Sequence, residues 1–545
     1  MKSFRKNQGI TLIALVITVI VLLILAGITI ATLTGDNGIL TRAQEAKTET
    51  EQAEKEEKEK LGDMEDTINE YTTGTEVQQV TDENPGVLEG TGTDTDPYTI
   101  KSIEDLVVFA SNVTNGTTYE GKTVKLGLSL DFNSNKSYVE PLRTDYGEYG
   151  YDGELKTLLT TGDGFIPIGK FDIQENNEEI VRQNNFEGIF EGNNNVIKNL
   201  YINKVGENEI EEIGFFGNNC GEIKNLELMD ANIYVNGKTM ITGGIAGATF
   251  GNITGCNVTG KIKCDGTLWS MVGGITGNAR KYLQVSECSN NANITINNLG
   301  ETGQATVAGI VGGMEQTGVE INKCYNSGDI YGYSEKKQTS VGGITTGMPN
   351  GKITNCYNTG KIEGKGSSTT YIGGILGNIT SNEIRNCYNI GEIIFDGEVD
   401  NSEIYIGGIV GYSIDTNISN VYNAKEIRIN GQNTNIRIGG LIGGFFSDTP
   451  LYKGYNTGKI IAENTTSEDI GSLIGSTNKN NILENCYYLK GTHTKAVGAI
   501  SNSNDVTELE NIKDFPSILE VINSDNVFKE DINNINNGYP ILAWQ

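Results

Sequence analysis

The residues whose types could do chemistry are few in this chain, and their spacing limits what they can do. One histidine, His493, lies in a Gly-Thr-His-Thr stretch, so a His-Glu-x-x-His zinc site is excluded and a Ser-His-Asp triad would have to use that residue alone. The eight cysteines lack the paired spacing of a zinc motif. Gly116-Thr-Thr-Tyr-Glu-Gly-Lys-Thr123 fits the pattern of a phosphate-binding loop, yet the residues after Thr123 alternate like a strand, and no helix N-terminus is predicted to meet a phosphate. Asp94-Thr-Asp96, and Asp131 with Asn133 and Asn135, carry oxygen ligands suited to calcium but not the spacing of an EF-hand, and read as turns. Glycoside hydrolysis needs two carboxyls held at a set separation; with 70 acids many pairs exist, and no repeat singles one out. The sequence therefore predicts no metal, no cofactor and no enzymatic activity.

What the sequence does contain is a period of about thirty residues from Gly214 to Tyr488, the mark of a solenoid whose units bury their apolar faces against one another. Each copy opens on a glycine-hydrophobe step such as Gly244-Ile-Ala-Gly247, Gly374-Ile-Leu-Gly377 or Gly440-Leu-Ile-Gly443. About a dozen residues later comes a second phrase, clearest as Asn355-Cys-Tyr-Asn-Thr-Gly360 and Asn386-Cys-Tyr-Asn-Ile-Gly391. Stacked in register, the copies give columns. One runs Leu226, Cys256, Cys288, Cys324, Cys356, Cys387, Val421, Gly454, Cys486, and its mostly apolar occupants mark an inward position where a free thiol behaves as a small hydrophobe. The next runs Glu227, Asn257, Ser289, Tyr325, Tyr357, Tyr388, Tyr422, Tyr455, Tyr487; by strand alternation it points out. Its six tyrosines are the candidate binding stripe, able to stack on sugars or on a partner protein, or else a ladder that stabilises stacked strands. Asn326, Asn358, Asn389, Asn423 and Asn456 read as turn-forming asparagines bonded to the backbone.

Eight prolines against seventy glycines fit short strands and tight turns, and a net charge of −29 disfavours nucleic acid as a partner. Ile10 to Leu33 is uncharged and proline-free, and as a helix would span about 36 Å, enough for a bilayer core. Lys2, Arg5 and Lys6 precede it and acidic sequence follows, which predicts a single-pass anchor with a cytoplasmic N-terminus and the bulk outside the cell. Thr41 to Tyr71, with 11 acids and 5 bases, reads as a solvated helical stalk. Ser102-Ile-Glu-Asp105 fits a capping box ahead of Leu106-Val-Val-Phe-Ala110, a short helix covering one end of the stack.

Two resemblances add to these readings. Lys6-Asn-Gln-Gly9 followed by Ile10-Thr-Leu-Ile-Ala-Leu-Val16 resembles the N-terminus of a type IV prepilin. That implies cleavage between Gly9 and Ile10 by a prepilin peptidase; the family's glutamate five residues on is replaced by Ala14. Phe186-Glu-Gly-Ile-Phe-Glu-Gly192, Ile197-Lys-Asn-Leu200, Gly214-Phe-Phe-Gly217 and Gly221-Glu-Ile-Lys-Asn-Leu226 resemble the repeats of Gram-positive surface proteins carrying GLUG repeats, which also flank the catalytic part of metallopeptidases that cut immunoglobulin A. The resemblance implies a surface β-solenoid and does not imply peptidase activity.

The expected architecture is mainly β: a basic leader (1–9), a transmembrane pilin-like helix (10–34), a charged helical stalk (35–75), a linker (76–87), an N-terminal cap and first coils (88–212), a parallel β-helix-like solenoid (213–500) and a C-terminal cap (501–545). The expected function is membrane-anchored, non-catalytic binding or adhesion at the cell surface, toward a glycan or protein ligand. A minor pilin or pseudopilin component, partnered by pilin, and a carbohydrate-active β-helix enzyme are the alternatives.

Overall fold

The computed structural model describes residues 85–545 except 133–161, 171–183, 207–209, 281, 315–317, 348, 381, 398–401, 432–434, 463–464, 466, 480–481, 499–505 and 511–525. The expected leader, the Gly9/Ile10 processing site, the membrane helix, the stalk, most of the linker, and Asn133 and Asn135 lie outside the described residues. Among the described residues, no helix is long and apolar enough to cross a membrane. All described residues belong to one compact unit, Glu83–Gln545.

That unit is a parallel β-solenoid. One turn shows the plan: a strand Thr239–Gly243, a glycine corner, a strand Ala246–Thr249, a short strand Ile253–Thr254 and a longer strand Asn257–Gly266. Each strand pairs in parallel with its equivalent one turn on, so the turns build a nine-stranded sheet, two four-stranded sheets and one of 27 strands. Parallel sheets of this kind need apolar residues on the enclosed face, and the hydrophobe of each glycine phrase supplies one. Ile245, Ile275, Ile310, Ile344, Ile375, Ile409, Leu441 and Leu473 are all fully buried.

The two recurring phrases meet in space. A Cβ on Gly374 would come within 2.0 Å of the Gly408 carbonyl oxygen and 2.6 Å of the Asn389 side chain. Only a residue without a side chain lets the corner sit against the buried asparagine of the second phrase. The second phrase itself opens on a left-handed residue, φ 55° at Asn355 and 56° at Asn386, a conformation asparagine tolerates better than most residues.

The register matches the sequence columns residue for residue: Tyr325 pairs with Tyr357, Tyr357 with Tyr388, Tyr388 with Tyr422, Tyr422 with Tyr455 and Tyr455 with Tyr487. Cys256, Cys288, Cys324, Cys356, Cys387 and Cys486 are free thiols and buried. Burial holds the Cys324 and Cys387 thiols well above the usual thiol range and pushes Cys264, elsewhere in the core, up to about 12, so these sulfurs pack as neutral groups.

The asparagine column differs from expectation. Asn326, Asn358, Asn389, Asn423 and Asn456 are fully buried, and their amides bond to one another along the stack as well as to the backbone. Asn290 Nδ2 donates to Asn326 Oδ1 at 2.7 Å, and the chain continues through Asn358, Asn389 and Asn423 to Asn456 at 2.7 to 2.9 Å. Each amide also donates to a carbonyl two residues on, such as Gly360 and Gly391 at 2.8 Å. The reason is strand alternation: a position two residues after an inward cysteine faces inward again, and a buried amide must then find all its partners inside.

At the N-terminal side the helix α1, Ile103–Thr114, forms as expected. Ser102 accepts from the Asp105 backbone, Asp105 returns a bond to the Ser102 N–H, and the buried Asp105 carboxylate also takes the N–H groups of Gly86 and Lys101. Phe109 from this helix packs on Phe186 and Phe190, with ring centroids 5.6 and 5.8 Å away.

Candidate functional site

The tyrosine column points away from the main core, as alternation requires. Its rings stack almost face to face at 4.8 to 4.9 Å from Tyr325 through Tyr455, with interplanar angles of 2° to 7°. Its exposure, however, differs from that of an open binding stripe. Tyr388, Tyr422, Tyr455 and Tyr487 are buried, and only Tyr325 and Tyr357 are half-exposed. The cover is the chain's own C-terminal segment. Gln545 Oε1 accepts from the Tyr422 hydroxyl at 2.9 Å, and Trp544 lies 5.9 and 5.8 Å from the Tyr357 and Tyr388 rings. Asn536 donates to the Tyr455 hydroxyl at 2.8 Å, which itself bonds the Pro540 carbonyl. With Phe528, Leu542 and Leu509 these tyrosines form a second apolar cluster separate from the solenoid interior. Burial pushes the phenols of Tyr388, Tyr422 and Tyr455 well above their ordinary range. The described part of the expected C-terminal cap thus lies along the flank of the stack and reaches back over several turns.

The remaining sequence candidates are placed as follows. His493 is half-buried and its pKa is lowered by burial and by Lys495; the neighbouring Ser472 hydroxyl donates to the His493 carbonyl at 3.2 Å, so no Ser-His pair is assembled there. Thr123 opens a strand, Thr123–Leu126, and α1 precedes the loop, so Gly116–Thr123 feeds no helix N-terminus. Asp94 accepts from Thr123 Oγ1 at 2.7 Å, Asp96 from Thr91 Oγ1 at 2.9 Å and Asp131 from Asn199 Nδ2 at 2.7 Å. Among the described residues no three His, Cys, Asp or Glu side chains converge as metal ligands.

Two features escaped the sequence reading. On the nine-stranded sheet Tyr371 and Tyr405 stack at 5.6 Å, and Tyr412, from the next strand of its turn, meets Tyr405 edge-on at 4.7 Å. The Arg437 guanidinium sits 4.8 Å over Tyr405 and pairs with Glu403 and Asp469. The outward residues of the strands Ile404–Gly407 and Val410–Ile414 thus meet across the glycine corner that joins them. The second feature is an open cleft of about 550 Å³ on the N-terminal turns, lined among others by Lys122, Glu187, Glu222, Phe250 and Tyr282. Its signal was available: Gly188, Gly221 and Gly251 recur at one position of successive turns.

Fold and columns together define the class, a parallel β-solenoid with an amide ladder inside and a covered phenol ladder outside. No family model matches the chain. Over 210 residues, 38% of its length, it is 25% identical to halomucin of Haloquadratum walsbyi, and that stretch is 2% of halomucin. A crystal structure of a candidate immunoglobulin A1 protease from Bacteroides ovatus is similar over 84% of this chain and 95% of its own, at 16% identity and a TM-score of 0.32.

Proposed function

We propose that the protein is a cell-surface binding rod, anchored in the membrane by residues 10–34 and acting in adhesion without catalysis. The observation that carries this reading is the use of the chemistry-bearing side chains. Thiols, amides and most of the ladder phenols hold neighbouring turns together, which leaves the outer walls as the surface for a partner, as in other solenoids. The uncharged run behind Lys2, Arg5 and Lys6 supports the anchor, and the local likeness to halomucin, a mucin by name, is in keeping with an extracellular body. Within this reading Tyr325 and Tyr357 remain available to a glycan or protein ligand. The protein should sediment with membranes, and protease added to intact cells should digest the solenoid. Recovery in the cytosol, or full protection from protease, would refute the placement.

A second reading rests on Lys6-Asn-Gln-Gly9 and the apolar run behind it, which resemble a prepilin. In it, a prepilin peptidase cuts between Gly9 and Ile10 and the protein joins a pilus as a minor component. Intact mass of the surface-extracted chain, short by residues 1–9, together with co-purification with a pilin fibre, would support it; an uncut chain free of pilin would not.

A further inference from the structure

The cleft on the N-terminal turns crosses five successive coils, contributed by residues near Thr123, Ile189, Glu222, Asn252 and Leu283. At a strand spacing of about 4.8 Å the four steps make a trough roughly 19 Å long, parallel to the stack. Its floor is bare main chain. A Cβ on Gly251 would come 1.7 Å from the Gly221 carbonyl oxygen and one on Gly221 2.0 Å from that of Gly188, so these turns stack this closely only as glycine and no side chain rises from the floor.

One end carries Tyr282, 73% exposed, an unusual state for a large aromatic residue. Gly318 lies against its ring, where a Cβ would come 2.5 Å from the ring edge. The residues lining the cleft include the acids Asp94, Glu187 and Glu222 and a single cation, Lys122. Glu222 pairs with Lys224 and Asp94 accepts from Thr123, whereas Glu187 has no side-chain partner among the described residues. The volume is that of a small-molecule site.

An extended, narrow ligand fits this trough if it offers a weakly polar face to Tyr282 and donors, preferably cationic, to the carboxylates. A peptide strand gains no main-chain pairing here, because the strand edges along the trough are already paired to the turns above and below. Anionic polymers are repelled by the walls and by the net charge of −29. We propose that the cleft binds an oligosaccharide containing amino sugars, with a sugar ring stacked on Tyr282 and an ammonium group held by Glu187. This deepens the surface-binding reading and rests on it for its biological setting only, since the test uses purified protein.

Cys220 lines the same cleft and is the one cysteine of the eight that is not buried. It therefore reports on occupancy. In the full-length chain solubilised in detergent, a maleimide should label native protein once, at Cys220, and a glucosamine tetramer should slow that labelling at least about tenfold. By the arithmetic of one stacking contact and one charge-assisted bond, Tyr282→Ala and Glu187→Gln should each weaken tetramer binding roughly tenfold in calorimetry with unchanged melting temperatures. The N-acetylated tetramer, which lacks the cation, should bind about tenfold more weakly than the free amine. Equal binding of the two tetramers, no protection of Cys220 by either, or protection that needs no more tetramer in Tyr282→Ala than in the parent would overturn the proposal. Such a result obtained while the solenoid remains protease-accessible on cells would leave the surface rod standing and remove only this ligand.

Discussion

Asn358 is fully buried, and its side-chain bonds run both ways along the stack. Its Oδ1 accepts from Asn326 at 2.7 Å, and its Nδ2 donates to Asn389 Oδ1 and the Gly360 carbonyl at 2.8 Å each. Alanine here leaves one donor and two acceptors short of a bond in the interior, and an unsatisfied buried group typically costs about 1–3 kcal/mol. Asn358→Ala is therefore expected to lower unfolding free energy by roughly 2–4 kcal/mol in a urea titration. Asn358→Asp should be worse at neutral pH, since it keeps the acceptors, loses both donors and places a charge beside Asn389 Oδ1. If both variants melt like the parent, the amide ladder contributes nothing to stability. This position also shows how far the sequence could be read. The period places Cys356, Tyr357 and Asn358 in adjacent columns, and alternation assigns the first two their faces. The same alternation sends Asn358 inward, but asparagine's preference for turns pointed the other way, and burial won because its neighbours in the stack are also asparagines.

At the level of elements, the decisive pairing is between the phenol ladder and the segment 526–545. Its covering of Tyr388, Tyr422 and Tyr455 raises their pKa values above the ordinary 10.0, chiefly through desolvation. A raised phenol pKa means the folded state keeps protons that the unfolded chain gives up. The corresponding stability is intact below about pH 10 and is lost as pH rises through the folded values. Deleting residues 526–545 should therefore bring phenolate absorbance in at lower pH and expose a tyrosine stripe to quenchers, while the far-ultraviolet strand signal persists. Superimposable alkaline titrations of the two chains would show that the segment does not cover the ladder in solution. None of this pairing was legible in the sequence. The repeats announce their own neighbours through a fixed period, whereas Tyr422 and Gln545 are 123 residues apart and share no pattern. The capping box of α1 was legible for the opposite reason: Ser102 and Asp105 are three residues apart, and the whole interaction is local.

For the molecule as a whole, a stack in which each turn pairs with the turns on either side predicts tolerance to changes of one whole turn. Tyr325 and Tyr357 are register partners, so excising residues 325–356 joins Cys324 to Tyr357 in the geometry that Cys324 already has with Tyr325. All columns stay in phase. The shortened chain should fold, melt cooperatively and lose no more than about 5 °C, since one of several similar interfaces is removed. Excising only 325–340 removes half a turn, puts inward residues on the outer face and should abolish the cooperative melt. Circular dichroism during heating separates the cases, and similar behaviour of the two deletions would argue against nearest-neighbour stacking.

The clasp of Trp544 and Gln545 over the tyrosine ladder has a consequence for biogenesis. A chain made from its N-terminus completes the turns bearing Tyr357, Tyr388 and Tyr422 well before the residues that cover them exist. Until residue 526 and its successors arrive, those turns display an aromatic strip of the kind that chaperones and proteases engage. A chain in which residues 526–545 are lacking or undocked thus leaves the rings of Tyr388 and Tyr422 in contact with water, whereas docking of Trp544 and Gln545 withdraws them.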